Sequence, residues 1–237
     1  MFMSSQKRII KYQLNEAFKA LAVFWGILLL VDVLGFIGNI YYNNMWTFGI
    51  HASTKISIVG GNTVAIFIFF IVYCYTRYYE DFPIAICLSV TRGDYFKSVV
   101  LENIIVSFFV ALIEGILLKI EPYVISAAGS TPLQDFSIFN TKTDSLIYIV
   151  LVMFIAFFIN VSFWTLVAAL NYKFGYRFWI AISALFVLFI FMLNSGTLNF
   201  LDTIFSKRWL FFGVLTVACN VASYYITLNT NVKHRVG

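Results

Sequence analysis

"SLIYIVLVMFIAFFINVSFWTLVAAL", residues 145–170, contains no charged side chain and no regular alternation of apolar and polar positions. A half-buried strand alternates, and so does a membrane-barrel strand, over about ten residues at a time. A continuous apolar run of more than about 20 residues instead fits a helix across the hydrocarbon core of a bilayer. There only a helix or a closed barrel satisfies its own backbone hydrogen bonds. Working outward, the same reading applies at 17–41, 56–79, 98–118, 177–193 and 209–229. The expected fold is an all-α membrane protein with six transmembrane helices in a single transmembrane domain, 1–237.

The composition requires such a solution. Hydrophobic residues make up 61% of the chain and charged residues 11%, against about 25% charged in an ordinary soluble domain. With a mean hydropathy of +0.89, the apolar surface exceeds what a water-soluble shape can hide, and the excess must face lipid. The first run follows a basic segment but is too long for the apolar core of a signal peptide. "IGNIYYNN" (37–44) offers no small-residue cleavage site, so this run reads as a retained span.

Lys and Arg set the orientation. With the N-terminus inside, Lys7, Arg8, Lys11, Lys19, Arg77, Arg92, Lys97, Lys173, Arg177, Lys233 and Arg235 lie on the cytoplasmic side. Lys55, Lys119, Lys142, Lys207 and Arg208 lie outside, a division of 11 to 5 among the 16 basic residues. The expectation is a multi-pass protein of the cell membrane with both termini cytoplasmic. The net charge of +5 is then topogenic. It calls for no nucleic-acid partner, although the basic ends suit anionic membrane lipids.

Before the first span, Ile10, Leu14, Phe18 and Leu21 recur at helical spacing while Lys7, Lys11, Asn15 and Lys19 take another side. This predicts an interfacial amphipathic helix over about 4–16. On the outer side, "STPLQDF" (130–136) reads as a helix start, with Ser130 or Thr131 as cap and Pro132 in the first turn. Residues 194–208 read as a semi-apolar element that dips into the outer leaflet. Internal repeats of the kind that build many secondary transporters are not visible.

Catalytic chemistry has little to stand on. The two histidines, His51 and His234, lie outside the spans, and neither a Gly-x-Ser-x-Gly nor a His-Glu-x-x-His pattern occurs. No Gly-Lys dipeptide exists, so the phosphate-binding loop of P-loop ATPases is absent. No catalytic residue, metal ligand or cofactor site is assigned, and an enzyme is not expected. Cys74, Cys87 and Cys219 are an odd set without Cys-x-x-Cys spacing, and read as free thiols.

What remains is acidic. Asp32 falls near the middle of the first span and Glu114 in the outer half of the third, and carboxylates at that depth mark a translocation path or a buried hydrogen bond. Glu102 is expected in solvent near the inner surface. Ser107, Ala111 and Gly115 recur every four residues, offering a face for close helix approach, either within the chain or at a dimer seam.

The connection between spans two and three is unusually polar: "EDFPIAICLSVTRGDYFKS", residues 80–98. Asp81 with Pro83 predicts a short helix start, Gly93 a break, and Thr91 or Asp94 the cap of the next helix. A short helix here would present Phe82, Ile84, Ile86 and Leu88 around its surface, an apolar elbow flanked by charges that suits protein docking.

The pattern "FPIAICLSVTRGDYFKSVVLENI" (82–104) resembles the elbow of the small ABC type-2 exporter permeases of Gram-positive bacteria. Those closest in size and style are the phenol-soluble modulin exporter permeases of staphylococci and the lantibiotic-immunity permeases. One departure stands out: many of these proteins have Gly where this chain has Leu88 or Ser89. The resemblance implies a coupling elbow at 80–97, in which Phe82, Pro83, Ile84, Thr91, Arg92, Asp94 and Tyr95 form or brace the surface for a cytosolic ABC ATPase. It also implies a second permease copy, an amphipathic peptide or lipid-like cargo, and ATP held by the partner ATPase. Two alternatives stand beside it. One is an ion- or proton-coupled secondary transporter using Asp32 and Glu114; the other is an accessory subunit that binds a peptide for immunity without moving it.

Overall fold

A computed structural model describes residues 5–42, 50–52, 55–127, 129–136, 138–180, 182–183 and 208–231. It is mostly helical. In chain order come α1 (Ser5–Tyr42), a hairpin of β1 (Ile50–Ala52) and β2 (Lys55–Ser57), α2 (Val59–Thr76), a π-helical turn (Arg77–Asp81) and α3 (Phe82–Cys87). They are followed by α4 (Arg92–Ala127), α5 (Leu146–Phe174) and α6 (Arg208–Leu228). The hairpin is antiparallel, with His51 opposite Ile56.

Among the described residues, four stretches are long and apolar enough to cross a membrane: Lys7–Gly38, Val59–Cys87, Arg92–Ala127 and Leu146–Phe174. The apolar part of α6, Phe212–Leu228, is shorter. Of the expected fifth span, 177–193, residues 177–180, 182 and 183 are helical. Residues 181 and 184–193, and all but the end of the semi-apolar element at 194–208, lie outside the described residues.

Three differences from the expected elements have local causes. The interfacial helix and first span form one helix of 38 residues, about 57 Å long at 1.5 Å per residue. Ala17, Ala20, Leu21 and Ala22 are strong helix formers, and no Gly or Pro marks a joint at residue 16. At its far end α4 runs on through Pro122 to Ala127, beyond the apolar run. The predicted helix at 130–136 does not form. Ile56 donates its N–H to the Thr131 carbonyl (3.1 Å) and accepts from the N–H of Leu133 (2.8 Å), so this segment pairs beside β2 instead.

The chain divides into two compact units. Unit two holds residues 10–70 and 102–158. Its part of α1 buries Ala17, Leu21, Trp25 and Leu28 along one stripe, while Val23, Ile27, Leu30, Val33 and Leu34 are exposed on the others. Large apolar side chains covering the outer faces suit lipid as solvent. Ile66 and Phe70 of α2, Val106, Val110 and Leu118 of α4, and Ile149 and Phe157 of α5 are fully buried. Stacked Phe24 and Phe69 (4.6 Å) and the edge-on pair Phe18 and Phe109 (5.1 Å) add directional contacts. Gly115 permits a close helix contact, since a Cβ there would stand 2.7 Å from Val150 Cγ2 of α5. The stripe of Ser107, Ala111 and Gly115 is buried within the chain.

Unit one holds residues 1–9, 71–101 and 159–237. It joins the end of α2, the elbow, the start of α4, the end of α5 and α6. Asn220 of α6 donates to Ser162 Oγ of α5 (3.0 Å), and Phe96 packs on Tyr224 at 5.5 Å. The Cys74 thiol faces the Val161 carbonyl (3.5 Å). None of Cys74, Cys87 and Cys219 forms a disulfide.

Candidate functional site

The elbow is rigid for reasons that can be traced residue by residue. Arg77 and Asp81, four apart, form an ion pair that is almost completely buried. A buried pair of this kind is held at full strength only while both partners remain, because an orphaned buried charge costs about 3–5 kcal/mol. The Arg77 guanidinium lies over the Tyr73 ring, 4.7 Å from its centre, and the Arg77 carbonyl accepts a hydrogen bond from the Tyr95 hydroxyl. Asp81 is therefore a counter-ion rather than the expected cap; it makes no side-chain capping bond to α3.

Phe82 corrects a second expectation. Its ring is fully buried, packed against Tyr95 (5.1 Å), Tyr172 (5.6 Å) and Tyr78 (6.3 Å). Tyr78 in turn hydrogen-bonds Thr227 of α6 at 2.9 Å. Phe82 and Tyr95 are internal braces. The elbow's apolar surface is carried by Ile84, 42% exposed, and Leu88, 61% exposed. Pro83, in the first turn of α3, and Ile86 are half-buried.

The turn between the helices is well defined. Ser89 adopts a left-handed φ of 59°, with Val90 N–H bonded to the Ala85 carbonyl and Ser89 N–H to the Ile86 carbonyl, both at 3.0 Å. These are the paired bonds of a Schellman ending, and buried Val90 and Ala85 supply the apolar contact that goes with it. Gly93 lies inside α4 and does not make the break. Thr91 caps α4, accepting from the Asp94 N–H (3.1 Å) and donating to Asp94 Oδ2 (2.9 Å). Arg92 reaches across to the Leu228 carbonyl at the end of α6 (2.8 Å), where a cation satisfies an unpaired acceptor and complements the helix dipole.

The second cluster lies in unit two and is acidic. Asp32 of α1 is half-buried and accepts from Asn62 Nδ2 of α2 at 2.9 Å. Glu114 of α4 is fully buried, and neither of its carboxyl oxygens has a hydrogen-bond partner among the described residues. Glu121, two turns further along α4, was not anticipated from the sequence. One of its oxygens accepts from the backbone N–H groups of Ile58 and Val59, and the other from Ser57 Oγ (2.7 Å). It caps the start of α2, where unpaired N–H groups and the positive dipole end favour a carboxylate. Ser57 completes the cap by accepting from the Gly60 N–H at 2.9 Å. The available signal was Ser57 three residues before Gly60, together with an acid beside Pro122 at the end of an apolar run.

Asp32, Glu114 and Glu121 thus belong to one unit, and Asp32 and Glu121 line a shared groove. Glu102, expected in solvent, is fully buried. It falls on the α4 stripe that also buries Tyr95, Val99, Val106 and Val110, so helical periodicity sets its environment. Among the described residues no group of His, Cys, Asp and Glu could hold a metal ion. No protein-family model matches the chain, and neither a curated protein nor a solved structure does.

Proposed function

We propose that this chain is the membrane permease subunit of an ATP-driven ABC type-2 exporter, with six spans and both termini on the cytoplasmic side of the cell membrane. Two copies, or this chain and a related permease, form the translocation path. A separate cytosolic ATPase binds ATP and docks on residues 80–97. Its closure rocks the helices joined at the elbow and alternates exposure of the path. The cargo is an amphipathic peptide or lipid-like molecule that enters from the membrane.

The observation that carries this reading is the braced elbow. An apolar tip of Ile84 and Leu88 is exposed on a short helix whose root is locked by Phe82, Tyr95 and the Arg77–Asp81 pair. A floppy loop would absorb a push, whereas a locked elbow transmits it to α2 and α4. Replacing both Ile84 and Leu88 with Asp should release the ATPase during purification while leaving the permease inserted and monodisperse, since the change strips the apolar centre of the interface. Undiminished co-purification and transport would reduce the elbow to a solvated connection.

The ion- or proton-coupled reading keeps one specific support, the fully buried Glu114 without a hydrogen-bond partner among the described residues, because ionisable groups at membrane depth mark pathways. The peptide-immunity reading differs in that cargo would bind without crossing.

A further inference from the structure

Unit two contains an apolar groove of about 180 Å³. Leu29 and Val33 of α1 and Ile120 and Val124 of α4 line it, and each is between 40% and 56% exposed. The groove therefore opens on the apolar outer face of the helices. Asp32 and Glu121 also line it, but they are not equivalent. Glu121 is occupied by the start of α2. Asp32 uses Oδ2 to accept from Asn62, and its Oδ1 accepts no hydrogen bond among the described residues.

Glu114 of the same unit is fully buried, neither of its oxygens has a partner among the described residues, and Asp32 and Glu121 are its acidic neighbours. No cation of the unit answers them among the described side chains. Lys19 pairs with Glu16 (2.9 Å), and Lys119 donates to the carbonyls of Thr141 (2.7 Å) and Asp144 (2.6 Å). Lys11 and Lys142 are exposed. A carboxyl group half-buried in an apolar groove ionises at a cost that a cation beside it offsets. An apolar stem that ends in one positive charge supplies what both the walls and the carboxylate need, and the volume suits a single long side chain.

We propose that the groove binds a lysyl side chain of an amphipathic peptide, its methylene stem against Leu29, Val33, Ile120 and Val124 and its ammonium on Asp32. Calling this peptide cargo rests on the export reading, but the binding itself requires no ATPase.

The test uses the full-length protein in nanodiscs of phosphatidylcholine. The probes are acetyl-leucyl-lysine amide and its neutral norleucine counterpart, followed by titration calorimetry. The lysine peptide should bind about tenfold tighter than the norleucine peptide. Asp32→Asn should cut that preference to roughly threefold or less. Asp32→Glu should retain it, which keeps the test decisive if Asp32→Asn fails to fold. Val124→Phe, filling the groove, should weaken both peptides.

Equal binding of the two peptides, or a preference that survives Asp32→Asn, would overturn the proposal. So would a preference that vanishes when phosphatidylethanolamine is added, because the groove would then belong to a lipid ammonium. Loss of ATPase co-purification would sink the export reading and leave this preference intact; loss of the preference would leave co-purification intact.

Discussion

Ser89 carries a left-handed backbone conformation at a position where a Cβ is disfavoured by about 1 kcal/mol. Ser89→Gly should therefore raise stability by about 0.5–1 kcal/mol, the smaller figure allowing for glycine's extra freedom when unfolded. Ser89→Val should lower it, and thermal unfolding in detergent reads both. A lower midpoint for Ser89→Gly would mean that the hydroxyl matters more than the backbone. At this scale the elbow was only partly legible. Thr91 as a cap follows from local chemistry, since the hydroxyl and Asp94 sit three residues apart. Phe82 and Glu121 were not legible, because their roles depend on partners far along the chain: Tyr172 for Phe82, and the start of α2 for Glu121. Asp81 was misread for a subtler reason. Its partner Arg77 is only four residues away, but the helix continues through a π-turn instead of starting afresh.

The helices themselves follow from apolar run length, so the cores of α2, α4, α5 and α6 coincide with stretches readable by eye. Their ends do not. Polar N-terminal residues continue α1 because nothing breaks it, and residues 130–136 abandon a helix signal for pairing with β2. The small-residue stripe of α4 left two uses open, and Gly115 against Val150 of α5 assigns it to packing within the chain. In lipid, helices associate through such close contact rather than through exclusion of water. Gly115→Ala should therefore cost about 1–3 kcal/mol by overpacking, and Val150→Ala in the same chain should recover most of it. If the second change gives no recovery, this contact does not limit the approach of the two helices.

For the molecule as a whole, the abundance of exposed apolar side chains on the helices makes the bilayer the solvent, while topology rests on charge. The 11-to-5 distribution of Lys and Arg predicts that single cysteines at Ser130 and Asn140, in a chain lacking Cys74, Cys87 and Cys219, react with an impermeant thiol reagent in intact cells. Cysteines at Thr91 and Asn231 should not react. Labelling at Thr91 would place the elbow outside and remove any cytosolic partner from it. Energy input is the central claim, and it divides the exporter from an ion-coupled carrier. The decisive measurement is peptide transport in vesicles holding this chain and the proposed partner ATPase, with ATP and with an uncoupler that collapses the proton gradient. Transport is predicted to require ATP, to survive the uncoupler, and to persist at a reduced rate in Asp32→Asn and Glu114→Gln. Transport that proceeds without ATP and stops with the uncoupler would contradict the account.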